Sequence, residues 1–384
     1  MKTLKSTELI SREACVFTGH RDLELLYSLR NFPVFMGCSD SRDPDSDLVA
    51  DMNWYISRGT GSLQLHPLIP LDVLYGQSHN EVVGEIWMRH HREFAELIYK
   101  YNCKAVFEIG GAHGALARNY FNVFPDAQWT ILEPNPHIPE DLPVNVIRGF
   151  LTDDFSYSGD WDVVVHSQLF EHIYNPKEMV KQLARFSEVG KLHIFSIPNL
   201  KAMLAKFYTN CLNFEHTCYL CEEYIDELMV SHGFEILEKK DFSDQHSLFY
   251  VTRRVEGVRE PVWPDLYLKN KCLFEGFVRY NESIVHRLNE MIAALDGPVY
   301  LFGAHIFSQF LIGFGLSVDR IVSVLDNGLL KIGRRLYGTN LWVKSPKCLM
   351  GKGKVYVILK AAGYNEEIKR DILDHINPDV IFLE

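Results

Sequence analysis

The run Val106-Phe107-Glu108-Ile109-Gly110-Gly111-Ala112-His113-Gly114 constrains the fold more than any other stretch of this chain. An apolar strand that meets closely spaced glycines before a helix forces a tight turn whose bare backbone can lie against a ligand. About twenty residues on, a second apolar strand, Trp129-Thr130-Ile131-Leu132, ends in Glu133-Pro134. From that position a carboxylate reaches the ribose in nucleotide-binding α/β folds. A third strand, Trp161-Asp162-Val163-Val164-Val165, closes in His166-Ser167-Gln168. Three strand ends on one rim predict a Rossmann-like sheet. A purely steric turn would explain the glycines alone; the acids Glu108 and Glu133 are what point to a ligand.

Which ligand follows from what the turn lacks. A dinucleotide turn uses G-x-G-x-x-G so that pyrophosphate can rest on a helix N-terminus, and this chain has Gly110, Gly111 and Gly114 with Glu108 beside them. A carboxylate there repels phosphate and suits a cationic adenosyl cofactor. The stretch from about Ile86 to Arg253 resembles the class I S-adenosylmethionine-dependent methyltransferases, whose first motif is acid-x-Gly-x-x-x-Gly and whose second strand ends in a ribose-binding acid. The resemblance implies S-adenosyl-L-methionine as cofactor, held by Glu108, Gly110, Gly111, Gly114, Glu133 and Pro134, with His166, Ser167 and Gln168 lining the methyl donor.

At 384 residues the chain exceeds one ordinary core and two or three domains are expected. Its 39 basic and 50 acidic residues give a net charge of −11, which argues against wrapping nucleic acid or anionic lipid. The N-terminus shows no secretory apolar core and no run is long enough to span a bilayer. A cytoplasmic enzyme is expected. Eight scattered cysteines are read as free thiols, and Cys218-Tyr219-Leu220-Cys221 as packing residues lacking metal partners.

The chain divides into three stretches. Residues 1–85 form a small, loop-rich domain; 86–256 hold the cofactor-binding domain, led by a helix from Val82 to Tyr99 and closed by the strand Ser247–Thr252. After a linker with Pro261 and Pro264, residues 257–384 carry a long helical pattern from about Asn270 to Leu295. A second strand-turn-helix unit follows, with strands at Pro298–Phe302, Arg320–Leu325 and Lys354–Leu359. The predicted class is α/β, with a central methyltransferase sheet, a second Rossmann-like C-terminal domain and the small N-terminal one.

The string Leu301-Phe302-Gly303-Ala304-His305-Ile306-Phe307-Ser308-Gln309-Phe310, then Leu325-Asp326-Asn327, Lys331, Gly333-Arg334-Arg335-Leu336-Tyr337-Gly338-Thr339 and Pro346, resembles the C-terminal domain of sugar C-methyltransferases. That family acts on nucleotide-linked 4-keto deoxysugars through an N-terminal zinc domain, a central methyltransferase and this C-terminal unit. The resemblance implies a nucleoside-diphosphate sugar as partner, Gly303, His305 and Asp326 near it, and Lys331, Arg334 and Arg335 on its phosphates. A solvated cationic face is the competing account of those three. Oligomeric state, monomer or homodimer, is left open.

The family places a catalytic Glu-His pair after a Pro-Asn strand end. Here Ile197-Pro198-Asn199 precedes Asn213-Phe214-Glu215-His216-Thr217 and Tyr219, so the resemblance makes His216 the base and Glu215 its orienting or sugar-binding partner. Asn213, Tyr219 and His79 are the expected oxyanion donors, and Asn199 and His172 substrate contacts. Tyr75 or His79 supplies the family's substrate-facing group near the hinge. Two departures stand out. Of four zinc cysteines only Cys15 remains, so no metal is expected. Asn213 replaces a family tyrosine, which keeps O-methylation of a nucleotide-linked hexose or heptose open beside C-methylation. A NAD-dependent or non-catalytic nucleotide-sugar binder is the third reading.

Overall fold

The computed structural model describes residues 1–75, 85–243 and 245–384. The first stretch contains β1 (Lys2–Thr3), β2 (Leu23–Pro33), β3 (Cys38–Ser39), β4 (Leu48–Ser57) and β5 (Leu63–Leu65). β4 pairs antiparallel with β2 and β5 and parallel with β1. Besides its loops, this stretch therefore carries two long strands. The β2–β4 ladder slips between Leu25 and Tyr27 and between Leu29 and Phe32, and each slip breaks the alternation by which a half-buried strand is read from sequence.

Helix α1 (Leu71–Leu74) and helix α2 (Glu85–Lys100) lead into the central sheet. α2 buries Phe94, Ala95, Leu97 and Ile98 on one face, as the helical spacing of its apolar residues requires. The sheet contains β6 (Ala105–Ile109), β7 (Gln128–Leu132), β8 (Asn145–Ile147), β9 (Val163–Ser167), β10 (Leu192–Pro198), β11 (Phe234–Phe242) and β12 (Ser247–Arg254). Helices α3 (Ala115–Val123), α4 (Pro176–Phe186), α5 (Leu200–Ala205) and α6 (Glu222–Ser231) lie between these strands along the chain. The strand order is β11-β12-β10-β9-β6-β7-β8, with β12 antiparallel to β10 and β11 and the other pairs parallel. This is the methyltransferase-type Rossmann-like sheet. The chain turns to opposite sides after β6, so the crevice outside β6 and β9 is the place where such sheets receive ligands.

The last stretch opens with α7 (Tyr267–Ala294), whose buried positions Asn270, Phe274, Phe277, Val278, Asn281, Ile284, Val285 and Leu288 recur at helical spacing. Then come β13 (Val299–Phe302), α8 (Ile306–Gly313), β14 (Ile321–Leu325), β15 (Arg335–Leu336), β16 (Val343–Lys344), β17 (Val355–Leu359), α9 (Asn365–His375) and β18 (Val380–Leu383). A parallel sheet of order β16-β14-β13-β17-β18 is the second Rossmann-like unit. Among the described residues no helix is long and apolar enough to cross a membrane.

One buried ion pair ties the ends of the chain together. β15 pairs with β3, and beside this ladder the guanidinium of Arg335 meets the carboxylate of Asp47 at 2.5 and 2.8 Å. Both side chains are 1% exposed. Gly338 N–H also donates to Asp47, while Arg335 donates to the carbonyls of Ser41 and Thr339. Every strong donor and acceptor in the pair is thus satisfied.

The core also holds an unusual set of histidines. His166 and His193 sit against Phe170 and Phe195, and His90 against Phe242 and Phe249. Among the described residues neither ring nitrogen of His90 or His166 has a hydrogen-bond partner. Burial pushes His193 down to about 3, His90 to about 2 and His246 to about 4. Folded values below the unfolded one mean stability that is present above about pH 6.5 and is lost as pH falls through the folded values. Glu108 and Glu171 act in the opposite sense, since burial raises them to about 7 and about 8. Their contribution is full below the ordinary carboxylate range and is lost as pH rises through 7 to 8. The melting temperature is accordingly expected to peak near pH 6.5 and to fall on both sides. A flat profile between pH 5 and 8.5 in scanning fluorimetry would contradict this assignment.

Candidate active site

The glycine turn follows β6 and is shaped by contacts on both sides. Gly110 has φ +77°, and a Cβ there would lie 3.2 Å from Leu169. At Gly111 a Cβ would stand 2.7 Å from Ile131 and 2.9 Å from the Glu108 carboxyl carbon, so only glycine lets the loop settle on the sheet. Gly114, at φ +70°, precedes α3. Next to this turn, at the end of β7, Glu133 is half-buried and accepts from Ala112 N–H at 3.3 Å and Asn135 N–H at 2.9 Å. Pro134 is exposed beyond it. On the other flank Ser167 meets Ser196 Oγ at 2.9 Å, and Gln168, with φ +52°, donates to the Ser196 hydroxyl. Gly110, Glu133, Ser167 and Gln168 therefore meet at the crevice between β6 and β9 and beside it.

Two residues assigned to this rim by sequence do not face it. Glu108 is 3% exposed, lies beneath Gly111 and accepts from the Trp129 indole N–H at 2.8 Å. Because strand residues alternate faces, its side chain enters the core. The electrostatic argument against pyrophosphate drawn from it lapses, and Glu133 is the carboxylate left at the rim. His166 is corrected for the same reason, being fully buried among aromatic rings.

A second group gathers just past β9. A 3-10 turn, Phe170–His172, places Glu171 and His172 beside Glu215 and His216. Their positions are fixed from the N-terminal sheet: Leu65 N–H donates to the Thr217 carbonyl, Tyr219 N–H to Leu63, and Thr217 N–H to Glu171. His172 Nδ1 lies 3.2 Å from the Tyr75 hydroxyl and 3.7 Å from Glu215. The rings of His172 and His216 meet edge-on at 4.9 Å. His216 Nδ1 donates to the Cys211 carbonyl at 2.9 Å, which fixes the tautomer and leaves Nε2 as a lone pair. Burial holds His216 down at about 4, so it is neutral and basic near pH 7. Burial has the reverse effect on Glu171, which is protonated there. The tyrosine hydroxyl is likewise raised by burial.

This arrangement supports proton abstraction by His216, with Tyr75 and His172 as adjacent donors. Glu171, His172 and His216 also bring three ligand atoms within 4.8 Å of one another, the one group with metal-like spacing among the described residues. Glu171 is 1% exposed at this group. In the sequence it is marked by an acid-histidine pair, Glu171-His172, shortly after a strand on the ligand rim.

The remaining expectations divide. Asn213 is 5% exposed and its Oδ1 accepts from both Glu215 and His216 N–H at 2.8 Å. It shapes the turn that presents the pair. Tyr219, 1% exposed, is a core side chain. Asn199 caps α5 through Ala202 N–H. His79 lies outside the described residues. In the C-terminal sheet Gly303 has φ +101°, and Asp326 accepts from Ala304 N–H, Gly328 N–H and Lys331 Nζ at 2.8, 2.8 and 3.0 Å. His305 is held down at about 4 by burial. Arg334 pairs with exposed Asp40 at 2.9 Å. Arg335 cannot be a phosphate ligand, since its guanidinium is committed to Asp47 inside the protein. At the N-terminal zinc position Cys15 Sγ lies 3.4 Å from Ser62 and 3.6 Å from Thr60 hydroxyls.

Residues 88–239 match a family model described as a methyltransferase domain. No curated protein matches the chain. Among solved structures, an O-methyltransferase family protein from Burkholderia thailandensis is similar at 15% identity and TM-score 0.36, over 44% of this chain and 56% of that one. The plantazolicin methyltransferase BpumL, in complex with a desmethylPZN analog and SAH, is similar at 10% identity and TM-score 0.36, over 44% and 84%. Mitomycin 7-O-methyltransferase MmcR is similar at 12% identity and TM-score 0.36, over 45% and 55%. The chain spans about half the length of the first and last of these.

Proposed function

We propose that this chain is an S-adenosylmethionine-dependent methyltransferase acting on a nucleotide-linked sugar, with C-methylation of a keto-deoxysugar as its reaction. The observation that carries it is the convergence at one sheet crevice of the Gly110 turn, the Glu133 carboxylate and the Tyr75-His172-Glu215-His216 cluster, within the stretch that matches a methyltransferase domain. The residues fit the cofactor: backbone without side chains at Gly110 and Gly111 accepts close approach, and Glu133 offers oxygens to two ribose hydroxyls. S-adenosylmethionine supplies an electrophilic methyl on a sulfonium, and the residues of the chain provide the rest. His216 Nε2 takes the proton next to the ketone as the carbon nucleophile forms. Tyr75 and His172 donate to the enolate oxygen. Glu215 keeps His172 oriented.

Glu133→Ala is expected to weaken S-adenosylhomocysteine binding by about 10- to 100-fold, the worth of a charge-assisted pair of hydrogen bonds. Calorimetric titration with S-adenosylhomocysteine and with NAD reads this directly. NAD binding without thioether binding would return the chain to the dehydrogenases.

A further inference from the structure

Two histidines and one carboxylate are a donor set for a divalent transition ion, with coordination positions left over for water. Glu171, His172 and His216 supply that set, and their ligand atoms all lie within 4.8 Å of one another. The spacing is close to what such an ion requires. Three atoms no more than 4.8 Å apart share a centre at most about 2.8 Å from each, so bonds of about 2.0–2.2 Å ask each donor to move inward by less than about 1 Å.

Two further observations point to a ligand here. Glu171 is buried, and among the described residues its Oε2 has no hydrogen-bond partner. A buried carboxyl oxygen left unmatched is rare in a folded protein, and a bound ion is one of the partners that would explain it. The outer contacts are also those of metal-binding imidazoles, whose second ring nitrogen is normally held by a carbonyl or a carboxylate. His216 Nδ1 donates to the Cys211 carbonyl at 2.9 Å, and His172 Nδ1 faces the Tyr75 hydroxyl at 3.2 Å and Glu215 at 3.7 Å. In both rings an ion then meets Nε2, and that of His172 lies 4.0 Å from Glu171 Oε1. The backbone bond from Thr217 N–H to the Glu171 carbonyl, at 3.0 Å, ties the two ligand segments together. His172 stays 23% exposed, which gives the ion a way in.

We propose that Glu171, His172 and His216 bind one Zn²⁺, through a carboxylate oxygen and two imidazole Nε2 atoms with water as the remaining ligand, and that the ion inhibits methyl transfer. Mixed nitrogen and oxygen donors suit zinc, whereas Mg²⁺ prefers oxygen alone. The Nε2 lone pair that removes the proton is the one the ion takes. While zinc is held, His216 cannot act as a base. That consequence rests on the reading of His216 as the base; the ion site itself does not. The site is separate from the N-terminal position, where Cys15 alone remains of four cysteines.

The test is calorimetric titration of the metal-free full chain with Zn²⁺ and, separately, Mg²⁺, for wild type, Glu171→Gln and His172→Gln. S-adenosylhomocysteine is titrated alongside each and should still bind, which shows that the variants are folded. The wild type is expected to take one Zn²⁺ per chain, at least about 100-fold more tightly than Mg²⁺. Each substitution should weaken Zn²⁺ by about 100-fold or more, since even an outer partner is worth about 10- to 100-fold. Co²⁺ in the same site should give the visible spectrum of nitrogen and oxygen donors. In the transfer assay Zn²⁺ should lower kcat in proportion to occupancy, and EDTA should restore it. The site is overturned by Zn²⁺ binding weaker than about 0.1 mM, by binding that survives both substitutions, or by a thiolate charge-transfer band with Co²⁺, which would put the ion on cysteine. A kcat unchanged or raised at full occupancy overturns the inhibition. Zinc bound as expected in a wild type that does not bind S-adenosylhomocysteine would sink the methyltransferase reading and leave the ion site standing.

Discussion

Arg335→Met is expected to cost about 3–5 kcal/mol of stability, because it leaves Asp47 as an uncompensated buried charge. The carboxylate is 1% exposed and would keep only the Gly338 N–H. Asp47→Leu alone should be comparably damaging, stranding the guanidinium. The double variant should recover part of the loss, since an apolar pair removes both charges together. Recovery is incomplete because the half-buried carbonyls of Ser41 and Thr339 lose their donor. Denaturant unfolding of the four proteins forms a double-mutant cycle. A loss under about 1 kcal/mol for Arg335→Met, the level of an exposed ion pair, would mean that the pair is solvated and does not join the two ends of the chain.

The second large effect concerns chemistry. His216→Gln should lower kcat by about 10²- to 10⁴-fold, the usual contribution of a positioned base, while thioether affinity stays within about twofold, a few tenths of a kcal/mol. The side chain is anchored at Nδ1 by the Cys211 carbonyl. The pH profile gives a sharper test. With His216 held at about 4, the base is protonated only as pH falls well below the ordinary histidine value, so the acid limb of kcat should lie near pH 4 to 5. An acid limb at pH 6.5 that persists in His216→Gln would assign proton transfer elsewhere, with His172 the first alternative.

Much of the fold was legible because it rests on short-range rules. Val106–Ile109 and Trp129–Leu132 are apolar runs of strand length, and the glycines after the first have no other use than a turn. The second Rossmann-like unit was equally visible in Val299–Phe302, Ile321–Leu325 and Val355–Leu359. The N-terminal sheet was not, because its two slips interrupt the alternation that announces a strand. Two signals coincide at Glu133 and at Glu215-His216, a strand end and a nearby acid or histidine, and these are the residues on which the proposed site rests. Other residues were misread where one chemical group suggested a role and burial assigned another.

Sequence alone determined the order of the strands along the chain, the turn at Gly110–Gly114 and the acid at the end of β7, since each depends on residues within a few positions of one another. Only the tertiary structure decided which groups share a site. Glu108 and His166 are strand residues whose faces turn inward, Arg335 spends its charge on Asp47 nearly three hundred residues away in the chain, and Tyr75, His172 and Glu215 meet across three separate segments. Burial and pairing at that range are properties of packing, and no local pattern of residue types encodes them.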